Sequence, residues 1–152
     1  MKLLKNTIPV LLFLLIIACN STKKASSNTS NKTYKTPQIL YNAYVITSIS
    51  KDDSYGYSKE NPINVGGMKD MTGALNQRRY LNGLAGPNGE NVTYFRAGSC
   101  CSFKSKNGIF GNGLLDIYLV TWENAKDTTT LYLNLYDKGE LKIPVGFTSM
   151  FD

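Results

Sequence analysis

The stretch "LLDIYLVTWE", residues 114–123, decides how this chain folds. Leu115, Ile117 and Leu119 fall on one side of an extended backbone, and Tyr118, Val120 and Trp122 fall on the other, interrupted only by Asp116. Successive side chains of a strand point to opposite faces, so apolar residues on both sides predict a strand in the middle of a sheet. Downstream, residues 124–128 read as a hairpin connection into residues 129–136. There Leu131, Leu133 and Leu135 alternate with Thr130, Tyr132, Asn134 and Tyr136, which predicts a half-exposed neighbouring strand. "DKGE", residues 137–140, puts Gly139 where a three-residue hairpin wants a left-handed residue. Residues 141–143 then return as a short strand that Pro144 closes at a sheet edge.

Upstream, residues 91–97 alternate Val92, Tyr94 and Arg96 with Thr93, Phe95 and Ala97 and predict another strand. Residues 73–84 favour a helix with Leu75, Tyr80, Leu81 and Leu84 near one face. Thr72 is placed to cap its start, and Gly86-Pro87 stops it. "YGYSKENPINVGG", residues 55–67, is an ordered loop around Ile63 and Val65 with room for a short strand, and residues 39–50 are rich enough in β-branched and aromatic residues for a further strand. Four or five strands joined by tight turns, with one short helix, predict a small single-domain α+β fold with a mainly antiparallel sheet. Residues 37–152 suffice for one core and are too few for two.

The amino end has a different character. Lys2 and Lys5 precede an apolar run over residues 8–18, too short to span a bilayer and interrupted by Pro9, which reads as a secretion leader. Ile16, Ile17, Ala18 and Cys19 resemble the lipobox of bacterial lipoproteins, with a small residue before the cysteine that receives the lipid. The expectation is a signal peptide over residues 1–18, cleaved so that Cys19 becomes an acylated, palmitate-bearing first residue held in the lipid bilayer. Asn20 and Ser21 follow where some bacteria place an inner-membrane retention aspartate, which implies the outer membrane, and no acidic cluster follows them, which favours facing the periplasm. Residues 19–36, almost all Ser, Thr, Asn, Lys and Ala after the cysteine, read as a disordered tether that keeps the domain near its membrane.

Charge places a limit on partners. The chain carries a formal net charge of +6, which invites a nucleic-acid reading. Six of the 17 basic residues, Lys2, Lys5, Lys23, Lys24, Lys32 and Lys35, lie before residue 37, and the eleven that remain match the 11 acidic residues. A formally neutral domain lacks the concentrated basic face that a duplex requires, so no nucleic acid is expected. The expected partners are the bilayer, through Cys19, and an envelope protein or polymer.

The sequence contains no histidine, which removes Ser-His-Asp, Cys-His and His-based metal chemistry. No metal site and no cofactor is called for. Cys100 and Cys101, adjacent in "AGSCCSF", are the thiols left after Cys19 in an oxidising compartment. A vicinal disulfide is the first reading, and it needs a distorted turn that Gly98 and Ser99 can help supply. Two buried reduced cysteines and a redox-active pair are the alternatives. Arg78, Arg79 and Arg96 could form an anion pocket, since the guanidinium fork suits carboxylate or phosphate. Alternatively Arg78 and Arg79 solvate a helix face while Arg96 pairs with Asp116 or Glu90. Asp116 in a central strand needs a partner if buried. Tyr55 and Tyr57 could line a groove for sugar or peptide or could pack the core. Four Asn-Gly pairs, at 82–83, 88–89, 107–108 and 112–113, lack the context of a phosphate loop and read as turns, the first ending the helix.

The strings "YGYSKENPINVGG", "NQRRYLNGLAGPNGE", "GSCCSF", "GLLDIY" and "LYLNLYDKGELKIPVGF" together resemble a small family of bacterial lipoproteins of unknown function. Some of its members carry the label 2-dehydro-3-deoxyphosphooctonate aldolase. Enzymes of that name resemble (β/α) barrels of about 250 residues, whereas this domain has neither the length nor the alternation of strand and helix. The expectation is therefore a non-enzymatic binding or adaptor domain, with a small enzyme or anion-binding module as the alternative.

Overall fold

The computed structural model describes residues 33–152. The expected leader, the expected acylation at Cys19 and the expected tether up to residue 32 lie outside the described residues. No helix among the described residues is long and apolar enough to cross a membrane. The elements in chain order are β1 (Ile39–Leu40), β2 (Ala43–Tyr44), β3 (Ile63–Asn64), α1 (Gly73–Asn82), β4 (Leu84–Ala85), β5 (Val92–Ile109), β6 (Asn112–Trp122), β7 (Thr129–Asn134) and β8 (Thr148–Ser149). The main sheet has the order β3-β7-β6-β5, antiparallel except for the parallel β3–β7 pair, and β1–β2 and β4–β8 form two small ribbons. This is the expected α+β domain with a mainly antiparallel sheet.

The apolar-both-sides pattern of residues 114–123 does place β6 centrally, between β5 and β7. Its two faces are unequal. Asp116, Tyr118 and Val120 are buried, whereas Ile117 and Leu119 on the opposite face are half-exposed. Helix α1 lies over the face that holds Asp116, as a hydrogen bond from Gln77 to that carboxylate shows. The core beneath it joins Tyr44, Ile63, Tyr80, Leu81, Leu133 and Ile143, all at 2 % exposure or less. Burying a side chain of that size stabilises by about 1.5–3 kcal/mol, so this layer carries much of the fold.

Several local expectations need correction. Residues 39–50 are not one strand, because Tyr41 and Asn42 both adopt positive φ, 49° and 61°, and fold β1 onto β2 in a two-residue hairpin. The β5 strand does not stop at Ala97 but runs to Ile109, and register shifts at Arg96/Gly98, Cys100/Ser102 and Lys104/Ile109 absorb residues that break the alternation. Residues 141–143 do not return against β7. Ile143 bridges Ile49 in parallel, donating to Ser48 O and accepting from Ser50 N, each at 2.8 Å. Gly139 is not left-handed; a Cβ there would sit 2.9 Å from Asn64 Cβ, so the glycine permits close approach of two backbones. Thr72 makes no side-chain cap, and its hydroxyl accepts from Asn76 Nδ2 at 3.3 Å instead. Among the Asn-Gly pairs, Gly83 does end the helix, and Gly89 sits in a turn with φ 87°. Asn112-Gly113 lies within β6, because the hairpin turn is made by Phe110 and Gly111, with φ of 51° and 76°.

Candidate functional site

The side chains singled out from the sequence do not gather in one place. Arg96 and Asp116 meet across β5 and β6, where Arg96 Nη2 donates to Asp116 Oδ1 at 2.6 Å. Ser99 Oγ donates to the same oxygen at 2.7 Å, and Gln77 Nε2 donates to Oδ2 at 2.7 Å. The Tyr118 hydroxyl closes the chain by donating to Gln77 Oε1 at 3.0 Å. Asp116 is 4 % exposed, and Gln77 is fully buried. A carboxylate in that position is tolerable only with its oxygens engaged, as they are here. The bond to Asp116 holds the Arg96 pKa above its ordinary value, against a smaller opposing effect of desolvation. Burial raises the Tyr118 pKa, and the Asp116 charge adds to the effect. Both oxygens of the carboxylate are therefore engaged within the fold.

Tyr55 and Tyr57 likewise spend their hydroxyls on the fold. Tyr55 donates to Glu140 O at 3.3 Å and accepts from Lys142 N at 3.2 Å, while Tyr57 donates to Val145 O. They pin residues 140–145 to the loop before β3 and are not groove walls. Cys100 and Cys101 are joined by a disulfide, with Cys101 at φ 57° beside the register shift in β5.

Arg78 is exposed, but Arg79, its neighbour on α1, is half-buried and lines a cavity of about 230 Å³. Tyr44, Val65 and Leu141 supply apolar wall, and Asp70, Lys35 and Lys138 supply charge. The α1 start is folded against this cavity because Thr72 N donates to Gly67 O at 2.9 Å and Asn76 Nδ2 donates to Gly66 O at 3.1 Å. Lys35 and Thr36, which composition assigns to the tether, form part of the rim, and Lys138 Nζ donates to Thr36 Oγ1. The cavity thus has three cations and one carboxylate, and no ion pair neutralises Lys35, Arg79 or Lys138 among the described residues. Arg79 Nη1 donates to Asn76 Oδ1 at 3.5 Å and the guanidinium also hydrogen-bonds the Tyr44 hydroxyl, while its Nε is buried with no hydrogen-bond partner. Tyr44 beside it has its pKa raised by burial, and Arg79 pulls in the opposite direction. Such an arrangement suits a small anion, since Arg79, Lys35 and Lys138 outnumber the one carboxylate, Asp70, that lines the cavity with them.

Gln77, Lys35, Asp70 and Lys138 were not recognised from sequence as site residues. Gln77 had a signal: it shares the helix face of Gly73, Tyr80 and Leu81, so an amide there had to be buried and to find partners. Lys138 had none, because its approach to α1 depends on the long-range pairing of residues 64–66 with 134–139. A scan against protein-family models, a search of curated proteins and a search of solved structures each returned no match.

Proposed function

We propose that this chain is a lipid-anchored envelope protein whose domain is a non-enzymatic binding module, taking a small anionic group into the Arg79 cavity. The observation that carries the reading is the set of cations, Arg79, Lys35 and Lys138, none of them in an ion pair among the described residues, around a cavity partly walled by Tyr44, Val65 and Leu141. At about 230 Å³ the cavity suits a single charged group, such as the carboxylate or phosphate of an envelope polymer or peptide, better than a whole drug-sized molecule. The leader with Lys2 and Lys5 and the Ala18-Cys19 junction support acylation at Cys19 and a place on the periplasmic side of the outer membrane.

The test is thermal unfolding of the full chain with inorganic phosphate or acetate against sodium chloride of equal ionic strength. A ligand present at 100 times its Kd stabilises the native state by about 2.7 kcal/mol, which is readily measured. Arg79→Gln should remove that stabilisation. A shift equal to that of chloride, or one that survives Arg79→Gln, would dispose of the reading. The anchor is checked separately by the mass of the cell-derived amino-terminal peptide.

A further inference from the structure

We infer that the tip of the β5–β6 hairpin is a wedge that seats in the surface of an anionic lipid leaflet. The hairpin outruns its sheet. The pairing of β6 with β7 begins at Asp116, so residues 112–115 of β6 are paired with β5 alone. The base of this arm is fixed: Ser105 Oγ and Asn107 Nδ2 both donate to Asp137 Oδ1, at 2.7 and 2.9 Å, and Phe103 packs edge-on against Tyr136. Beyond that base lies the apex, where Phe110 is 98 % exposed and Ile109 is 63 % exposed. Single exposed apolar residues are ordinary on protein surfaces, but two adjacent ones at the outermost turn of an anchored arm form a projecting apolar point. The turn places Phe110 at φ 51°, in a position that normally favours Asn, Asp or Gly, so its local chemistry does not explain the aromatic ring.

Charge selects the occupant. Residues 98–115 contain Lys104 and Lys106, both exposed, and no aspartate or glutamate. Apolar residues at the apex with lysines behind them match acyl chains beneath anionic headgroups, where each lysine contributes electrostatic attraction near the surface. The inference does not depend on the Arg79 cavity. It rests on the anchor reading only for bringing a leaflet within reach.

The experiment uses the full chain on vesicles of phosphatidylglycerol and phosphatidylcholine with brominated acyl chains. Phe110→Trp reports from the tip, and the emission of the parent, whose single tryptophan is Trp122, is subtracted. The expected result is blue-shifted emission quenched roughly twofold on phosphatidylglycerol. Lys104→Glu with Lys106→Glu should move the engagement equilibrium at least roughly 30-fold toward the free tip. A control reporter, Phe95→Trp, stands at a position 69 % exposed on the sheet and should not be quenched. Unchanged Phe110→Trp emission, equal quenching at position 95, or indifference to the lysine reversal would each overturn the inference. So would a blue shift without vesicles that grows with protein concentration, which would assign the tip to a second copy of the chain. Membrane fractionation and the mass at Cys19 report the anchor independently. An unmodified Cys19 alongside a quenched tip would sink the anchor and leave the wedge standing.

Discussion

Helix α1 takes part in two polar clusters, through Gln77 and through Arg79, and they differ in how their charges are matched. Gln77 bonds Asp116 and Tyr118, Arg96 and Ser99 bond the same Asp116, and every oxygen of the buried carboxylate has a donor. At Arg79, two positions on, cations outnumber carboxylates and one buried nitrogen has nothing to bond. The first cluster is closed because burial would otherwise be too costly. The second stays open because it borders a cavity that solvent or a ligand can fill. Two charged sites on one short helix therefore separate into structure and recognition according to whether the partners are already present.

The largest effect expected from breaking this contrast is on the closed side. Asp116→Ala would leave Gln77 Nε2 without an acceptor and Arg96 and Ser99 without their anchor. Loss of one partner from a buried ionic cluster costs about 3–5 kcal/mol. Arg96 has a side chain 49 % exposed and is partly rescued by water, so the lower end of that range is expected. Urea denaturation measures it, and a loss below about 1 kcal/mol would show that the cluster is solvated and not closed. Anion-dependent stabilisation should survive in the fraction that folds.

The open side should respond oppositely. Arg79→Gln removes a guanidinium that has no ion pair and one orphaned nitrogen, so stability without ligand should change by less than about 1 kcal/mol in either direction. Added sodium chloride should stabilise the parent slightly, by screening Lys35, Arg79 and Lys138 from one another, and should do less for the variant. A destabilisation of several kcal/mol would make Arg79 a structural residue and remove the basis of the contrast.

Legibility from sequence follows the same division. The central place of β6 could be read because apolar residues 115–122 specify it locally, and the helix could be read from its propensity and its stop. The split of residues 39–50 at Tyr41 and Asn42 was hidden, since both the broken and the unbroken strand bury Tyr44 and Ile46. The continuation of β5 through Cys100 and Cys101 was hidden because bulges abolish the period-two signal that defines a strand. The Arg96–Asp116 pair was among the sequence alternatives, as both residues fall on neighbouring strands. The cavity was not, because Lys138 comes to it through an antiparallel bridge with Val65 and Lys35 enters from the far end of the chain, contacts that no local pattern encodes.

The contrast also appears in the alkaline response of two buried tyrosines. Tyr80 is fully buried and donates to Lys142 O at 2.7 Å; burial, reinforced by Tyr55, lifts its pKa well above 10.0. Tyr44 is also raised by burial, but Arg79 draws it back. Above pH about 10 the unfolded chain releases tyrosine protons that the native state still holds, so the native state binds more protons and stability falls as pH rises. Below that pH the contribution is complete. Tyr80→Phe should cost about 1 kcal/mol at neutral pH for the lost hydrogen bond, and should make the alkaline fall shallower by up to about 1.4 kcal/mol per pH unit. Arg79→Gln should do the reverse to a smaller degree, since Tyr44 then loses the cation that favours its charged form and remains protonated over a wider range. Urea midpoints followed from about pH 9 to 11 distinguish the two. Parallel curves for parent and Arg79→Gln would mean that the guanidinium does not act on Tyr44, and that the cavity charge is already screened by water.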